Sequence, residues 1–134
     1  SSLAHIKWTE HLFGILGKTV ILENEDMIDV VTAISGSGPA YIFNFAEIII
    51  AVGKDLGLSE KISKKIVLQT IIGAGLLAID SDKSPSELRE DVTSPNGTTQ
   101  AALNILMDKQ NGWDEIIKNA VIAAYERSKS LAKN

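Results

Sequence analysis

The sequence contains no cysteine among its 134 residues, which excludes disulfides, cysteine-ligated zinc and thiol catalysis. A chain without thiols agrees with a cytoplasmic location, which is the expectation here. No leader segment is visible either. The N-terminal SSLAHIKWTEHLF interrupts its apolar pattern with charges and offers no hydrophobic h-region. Long apolar runs are also missing. The two greasiest stretches, YIFNFAEIIIAV (41–52) and IVLQTIIGAGLLAI (66–79), fall short of a membrane span, and Asn44, Glu47, Gln69 and Thr70 interrupt them. Both read as buried helices of a soluble protein.

Excess positive charge is absent too. Thirteen basic against seventeen acidic side chains give a net charge of −4, which lacks the electrostatic footprint of a nucleic-acid binder. His5 and His11 stand six apart, off any one helical face, with no HExxH or carboxylate pairing around them. No metal site is expected, and no His–Ser or His–Cys arrangement points to nucleophilic catalysis. SGSG and GAG are glycine clusters, but neither is a GxGxxG or a GxxxxGK[ST], so the sequence carries no nucleotide fingerprint.

What is present is a globular composition, 45% apolar and 22% charged, in a chain of single-domain length. Leu3, Ile6, Leu12, Phe13 and Leu16 recur at helical spacing, and Gly17 ends that run. TVILE (19–23) suits a short extended segment that stays irregular or pairs across an oligomer. ENED (23–26) is a polar turn, and MIDVVTAI (27–34) reads as a short helix or a buried run of undefined type. SGSGPA (35–40) is a cluster of helix breakers, after which Pro39 opens a helix to Lys54 or beyond, stopped with the help of Gly57.

Ser59 caps the next helix, with Glu60 near the positive end of its dipole, and the pattern continues to about Ile79. DSDKS (80–84) ends it. SPSE (84–87) is a capping box, with Ser84 as cap, Pro85 at the first helical position and Glu87 reaching back. One further helix extends to about Asp108, a turn passes through Asn111 and Gly112, and a last helix runs from Trp113 to about Ala132. The fold class is all-α.

Two helices apolar nearly all round need cover on most sides, and the remaining helices, being amphipathic, supply only part of it. A second copy of the chain is therefore expected to bury the rest, in an obligate homo-oligomer. Gly73 and Gly75 agree, since mid-helix glycines cost roughly 1 kcal/mol each and are best tolerated where another backbone packs close.

Between an acidic helix and an alanine-rich one lies TSPNGTT (93–99). Pro95-Asn96-Gly97 turns the chain sharply, with Asn96 and Gly97 both able to take positive φ. The turn delivers Thr98 and Thr99 into a helix opening, where free N–H groups and the dipole favour an anion such as a carboxylate. Two readings stand on spacing alone: a capping turn, or an anion cradle that aims hydroxyls at a ligand.

DVVTAISGSGPAYIF (29–43) and LREDVTSPNGTTQAAL (88–103) together resemble the C-terminal domain of the pyrroline-5-carboxylate reductases, whose signature is VTSPGGTT followed by a helix. The resemblance extends from about Gly17 to AVIAAYERSKSL (120–131). It implies an interlocked homodimer of helical bundles, of the type found at the C-terminus of 6-phosphogluconate dehydrogenase, often assembled further into rings. By that likeness residues 1–17 form an inter-domain helix and residues 18–134 the dimerisation core.

The implied activity is reduction of 1-pyrroline-5-carboxylate to L-proline with NAD(P)H. Ser94 and the amides of Gly97, Thr98 and Thr99 would hold the substrate carboxylate, and Thr99 would offer its hydroxyl to the ring nitrogen. SGSGPA would form a tight helix start near the site. Two departures stand out: Asn96 replaces a glycine of the pattern, and a nucleotide-binding Rossmann half is not visible. The chain alone is therefore expected to be inactive unless that domain is supplied in trans. The competing readings are a decayed remnant, or a stand-alone carboxylate-binding or oligomerisation module without catalysis.

Overall fold

The computed structural model describes residues 3–15 and 17–132. Among the described residues seven α-helices and one π-helical turn follow one another: α1 (Leu3–Gly14), α2 (Met27–Val31), the π-helical turn (Thr32–Gly36), α3 (Gly38–Asp55), α4 (Glu60–Asp80), α5 (Pro85–Asp91), α6 (Thr98–Leu106) and α7 (Trp113–Leu131). Among the described residues there is no strand, and residues 19–23 remain irregular. α1 ends at Gly14; Leu16, which the helical spacing includes, lies outside the described residues.

Local chemistry sets most helix limits. Ser59 accepts the Ile62 N–H at the start of α4, and Gly57 stops α3 in the left-handed region at φ 101°. The Ser84–Glu87 capping box opens α5 with both reciprocal bonds in place. Residues 27–34 are helical, but they pass into a π-helical turn closed by the Ser37 N–H on Thr32 O at 2.9 Å. The Tyr41 hydroxyl donates to Ala33 O at 2.9 Å and ties α3 back onto that turn. Backbone dihedrals stay right-handed through Ser37. SGSGPA therefore widens the helix instead of interrupting it, and α3 begins at Gly38, one residue before Pro39.

α3 and α4 form a hairpin, the principal packing unit of the chain. Its close approach is at Gly53, where an added Cβ would meet Ser63 Oγ at 2.7 Å and Ser63 Cβ at 3.3 Å. α7 packs on α2 and the π-helical turn, where Ser128 donates to Asp29. The Phe45 and Trp113 rings meet edge to face at 5.3 Å. Gly73 and Gly75, by contrast, have no atom of the same chain within 4 Å of an added Cβ.

Within one subunit residues 41–52 and 66–79 are largely uncovered, which is the shortfall the expected second copy has to fill. Among the described residues only Ala33, Ala46 and Val67 form a buried apolar core, while Phe43 is 69% and Leu76 56% exposed. A folded monomer of 14.4 kDa exposes about 6,800 Å². This chain exposes 11132 Å². The excess, on the order of 4,000 Å², is far beyond the ~800 Å² per partner of a standard interface and matches an interlocked assembly.

α4 as a whole, at 21 residues, is long and apolar enough to cross a membrane by length and composition; the apolar run at 66–79 is only its C-terminal two-thirds. Core helices of soluble proteins pass the same test. Lys61, Lys64 and Lys65 occupy its first two turns, and it packs along α3.

Sedimentation at micromolar concentration is expected to show a dimer or a multiple of it, with dissociation coupled to loss of helical signal. A well-folded, compact single subunit would contradict the surface argument.

Candidate functional site

The TSPNGTT segment joins α5 to α6, and its shape comes from local hydrogen bonds. At the far end of α5 the Ser84 N–H and hydroxyl both donate to Glu87 Oε2, at 2.8 and 2.7 Å. Lys83 pairs with Asp91 along the same helix. At the near end the Thr93 hydroxyl donates to Arg89 O at 2.6 Å, and the Thr93 N–H donates to Glu90 O at 3.0 Å. The segment therefore leaves α5 in a fixed direction.

Ser94-Pro95-Asn96-Gly97 is then a β-turn, closed by the Gly97 N–H on Ser94 O at 3.0 Å. Proline at the second position and positive φ at the third, 59° at Asn96, are the marks of a type II turn. Only one of the two residues suited to positive φ uses it. Gly97 is extended, at φ −82° and ψ 175°. Its small size has another cause: an added Cβ would lie 2.3 Å from Ser94 Oγ and 3.1 Å from Ser94 O.

Gly97 is the N-cap of α6 and has no side chain to accept the first-turn amides, and α6 carries no acidic residue in that turn. α4, α5 and α7 each carry one or two. The opening of α6 therefore keeps its partial positive charge and its donors unfilled. Thr98, Thr99 and Gln100 supply those amides, since the Gly97 N–H closes the turn. Ser94 and Thr98 are exposed and Thr99 is half-buried. The turn thus brings all four expected residues, Ser94, Gly97, Thr98 and Thr99, into one corner. A groove lined by Arg89, Thr93, Gln100, Leu103 and Met107 runs alongside, between α5 and α6.

SGSGPA is placed differently from the expectation. The principal contacts of the π-helical turn are with α2, α3 and α7, not with α6. A larger groove of about 450 Å³ lies elsewhere, between α1 and residues 19–21, walled by Ile6, Phe13 and Val20. No group of His, Asp and Glu suited to a metal ion occurs among the described residues.

A family model described as pyrroline-5-carboxylate reductase dimerisation matches residues 25–131, which includes the whole of this corner. The chain belongs to that family. Among its relatives, a pyrroline-5-carboxylate reductase of Pseudomonas aeruginosa is 41% identical over 132 residues, covering 98% of this chain and 48% of that protein. The Arabidopsis thaliana enzyme is 39% identical, covering 92% of this chain and 44% of its own length. The structure of a pyrroline-5-carboxylate reductase from Coxiella burnetii superposes with a TM-score of 0.92 at 33% identity, covering 98% of this chain and 48% of that one. A Plasmodium falciparum pyrroline carboxylate reductase with NADP bound matches at a TM-score of 0.84 and 35% identity, covering 97% of this chain and 48% of that one.

The chain spans about half the length of these pyrroline-5-carboxylate reductases, and its all-helical fold is theirs over that half. A dimerisation domain explains the uncovered faces of α3 and α4. NADP is bound by the Plasmodium falciparum protein. The described residues of this chain contain no strand–glycine–helix cradle for a dinucleotide.

Two outcomes test the site's construction. Gly97→Val is expected to force the Ser94 hydroxyl and carbonyl away from the turn, abolishing binding of a small carboxylate while sedimentation still shows the dimer. Dissociation of the variant would make the turn a structural element instead. The second concerns α5. Hydrogen bonds from the Ser84 hydroxyl and N–H hold the Glu87 carboxyl below its ordinary value. Its stabilisation is therefore present above the unfolded value, about pH 4.3, and is lost as pH falls through the lower folded one. The stability difference between the wild type and Glu87→Gln in urea titrations should be positive at neutral pH and vanish in acid.

Proposed function

We propose that these residues are the dimerisation and substrate-binding part of a pyrroline-5-carboxylate reductase, the enzyme that reduces 1-pyrroline-5-carboxylate to L-proline with NAD(P)H. The observation that carries this reading is the unfilled N-terminus of α6, presented by a type II turn beside the Ser94 hydroxyl. A carboxylate seated there accepts the Thr98 and Thr99 amides and the Ser94 hydroxyl, and it meets the positive end of the helix dipole. Gly97 contributes shape, since its missing Cβ lets Ser94 close in.

With the carboxylate held, the ring attached to it lies over the first turn of α6. The Thr99 hydroxyl then donates to the ring nitrogen and polarises the C=N bond toward the carbon that is reduced. A hydrogen bond that strengthens as charge develops at the nitrogen accelerates the reaction more than it tightens binding. Hydride comes from a nicotinamide cofactor, for which these residues supply no cradle; a Rossmann domain in the same assembly must hold it. The interlocked homodimer, extending to a ring, keeps the α5–α6 arms at fixed positions around that assembly. We place the protein in the cytoplasm, in keeping with a chain that carries no cysteine.

The purified 134 residues alone are expected to oxidise no NAD(P)H in the presence of the substrate. Activity should appear when a nucleotide domain is added in trans. In that reconstituted system Thr99→Ala should lower kcat about 100-fold and leave L-proline affinity within about threefold. Turnover by the isolated chain, or an unchanged kcat in the variant, would overturn the assignment.

A further inference from the structure

The sequence holds two Asn-Gly pairs, Asn96-Gly97 and Asn111-Gly112. In such a pair the glycine nitrogen is the least shielded nucleophile a backbone can present to the preceding asparagine side chain. The structure gives the two pairs very different surroundings.

Asn111 and Gly112 are locked. The Asn111 and Gln110 N–H groups both donate to Asp108 Oδ1, at 2.8 and 3.0 Å, and the Gly112 N–H donates to Asp108 O at 2.9 Å. Gly112 is buried, with three backbone atoms, of Asp108 and Leu106, within 2.7 Å of an added Cβ. Both asparagines are exposed and neither side chain has a hydrogen-bond partner among the described residues, but no side chain clamps the Asn96 backbone, which is in the left-handed region. The Gly97 nitrogen is held by one bond, to Ser94 O, and the nearest atoms around an added Cβ all belong to Ser94. Opening that single bond frees it.

We infer that Asn96 is a self-modification site, whose conversion from amide to acid turns the α6 opening from one that accepts a carboxylate ligand into one that rejects it. The first half stands on the two environments; the second rests on the carboxylate reading above. The Gly97 nitrogen attacks Asn96 Cγ and a C–N bond forms. The Cγ–Nδ2 bond breaks, and ammonia leaves with the proton that the Gly97 nitrogen gives up. Water then opens the cyclic imide at either carbonyl, giving aspartate or isoaspartate, with no oxidant or reductant involved. Aspartate tolerates positive φ nearly as well as asparagine, so the turn survives. Its new carboxylate stands next to the N-cap of α6, where it repels an incoming anion and competes for the same amides.

The test incubates the purified chain at mildly alkaline pH and follows both sites by peptide mass spectrometry. L-proline is then titrated calorimetrically into the wild type, the aged protein, Asn96→Asp and Asn96→Gly. Asn96 should convert at least about tenfold faster than Asn111. Asn96→Asp and the aged protein should bind L-proline about tenfold or more weakly, while Asn96→Gly, which cannot convert, should bind as the fresh wild type does and keep that affinity on ageing. Conversion at Asn111 as fast as at Asn96, or none at Asn96, overturns the site. Full affinity in Asn96→Asp overturns the consequence. If the fresh wild type binds no L-proline, the carboxylate reading fails and takes the consequence with it, while the two conversion rates still decide the modification.

Discussion

The constraint on which the structure depends is one of area. Two long helices that are apolar on nearly every side cannot be covered by the rest of so short a chain. The surplus exposed surface is several times what a standard interface buries, so the native state of one subunit is inseparable from its assembly. The small residues follow from this. Gly53 lets α3 and α4 approach within the subunit, over Ser63. Gly73 and Gly75 meet nothing of this subunit, on two different faces of α4, and leave room there for a second copy.

A chain whose core is completed by a partner has little apolar packing left to order its extremities. The α5–α6 arm therefore holds its shape by short-range polar bonds. A capping box fixes where α5 starts, the Thr93 hydroxyl fixes where it ends, and a single turn hydrogen bond aims α6. Each bond contributes modestly, but together they set an orientation that needs no hydrophobic support. Apolar area thus drives assembly, and local hydrogen bonding shapes the α5–α6 corner. That division allows a polar, exposed segment to be well defined on a subunit with almost no core of its own.

The same division explains what the amino-acid sequence reveals and what it conceals. Caps, proline at a first helical turn and left-handed glycine are short-range devices, so the limits of α3, α4, α5 and α7 could be read directly from Ser59, Ser84, Gly57 and Gly112. The family signature at residues 92–99 was likewise legible, because it encodes a turn. Features set by packing were not. Residues 32–36 have no pattern distinguishing a π-helical turn from an α-helical one; the wider turn is fixed in three dimensions by Tyr41 on Ala33 O and by the contact with α7. Gly53 was passed over because its partner, ten residues later, becomes a neighbour only when the hairpin closes. The cover that residues 41–52 and 66–79 need was legible from their apolar character, and a second copy was the expected source; how little of it one subunit supplies was not.

Glycine shows most plainly why composition alone underdetermines a site. Gly57, Gly97 and Gly112 all stand at helix ends, yet only Gly57 uses positive φ. Gly112 is required because backbone atoms crowd it on the inside of a tight loop, and that crowding is structural. Gly97 is required because Ser94 crowds it, and Ser94 is one of the groups proposed to hold the carboxylate. The same residue type, beside the same asparagine, therefore serves a loop's packing in one place and the proposed binding corner in the other. What separates them is the neighbour: a fixed carbonyl at Gly112, and at Gly97 a hydroxyl whose direction the absent Cβ sets. A substitution at Gly112 should be felt by the whole subunit, whereas one at Gly97 acts first on Ser94 and on whatever Ser94 holds.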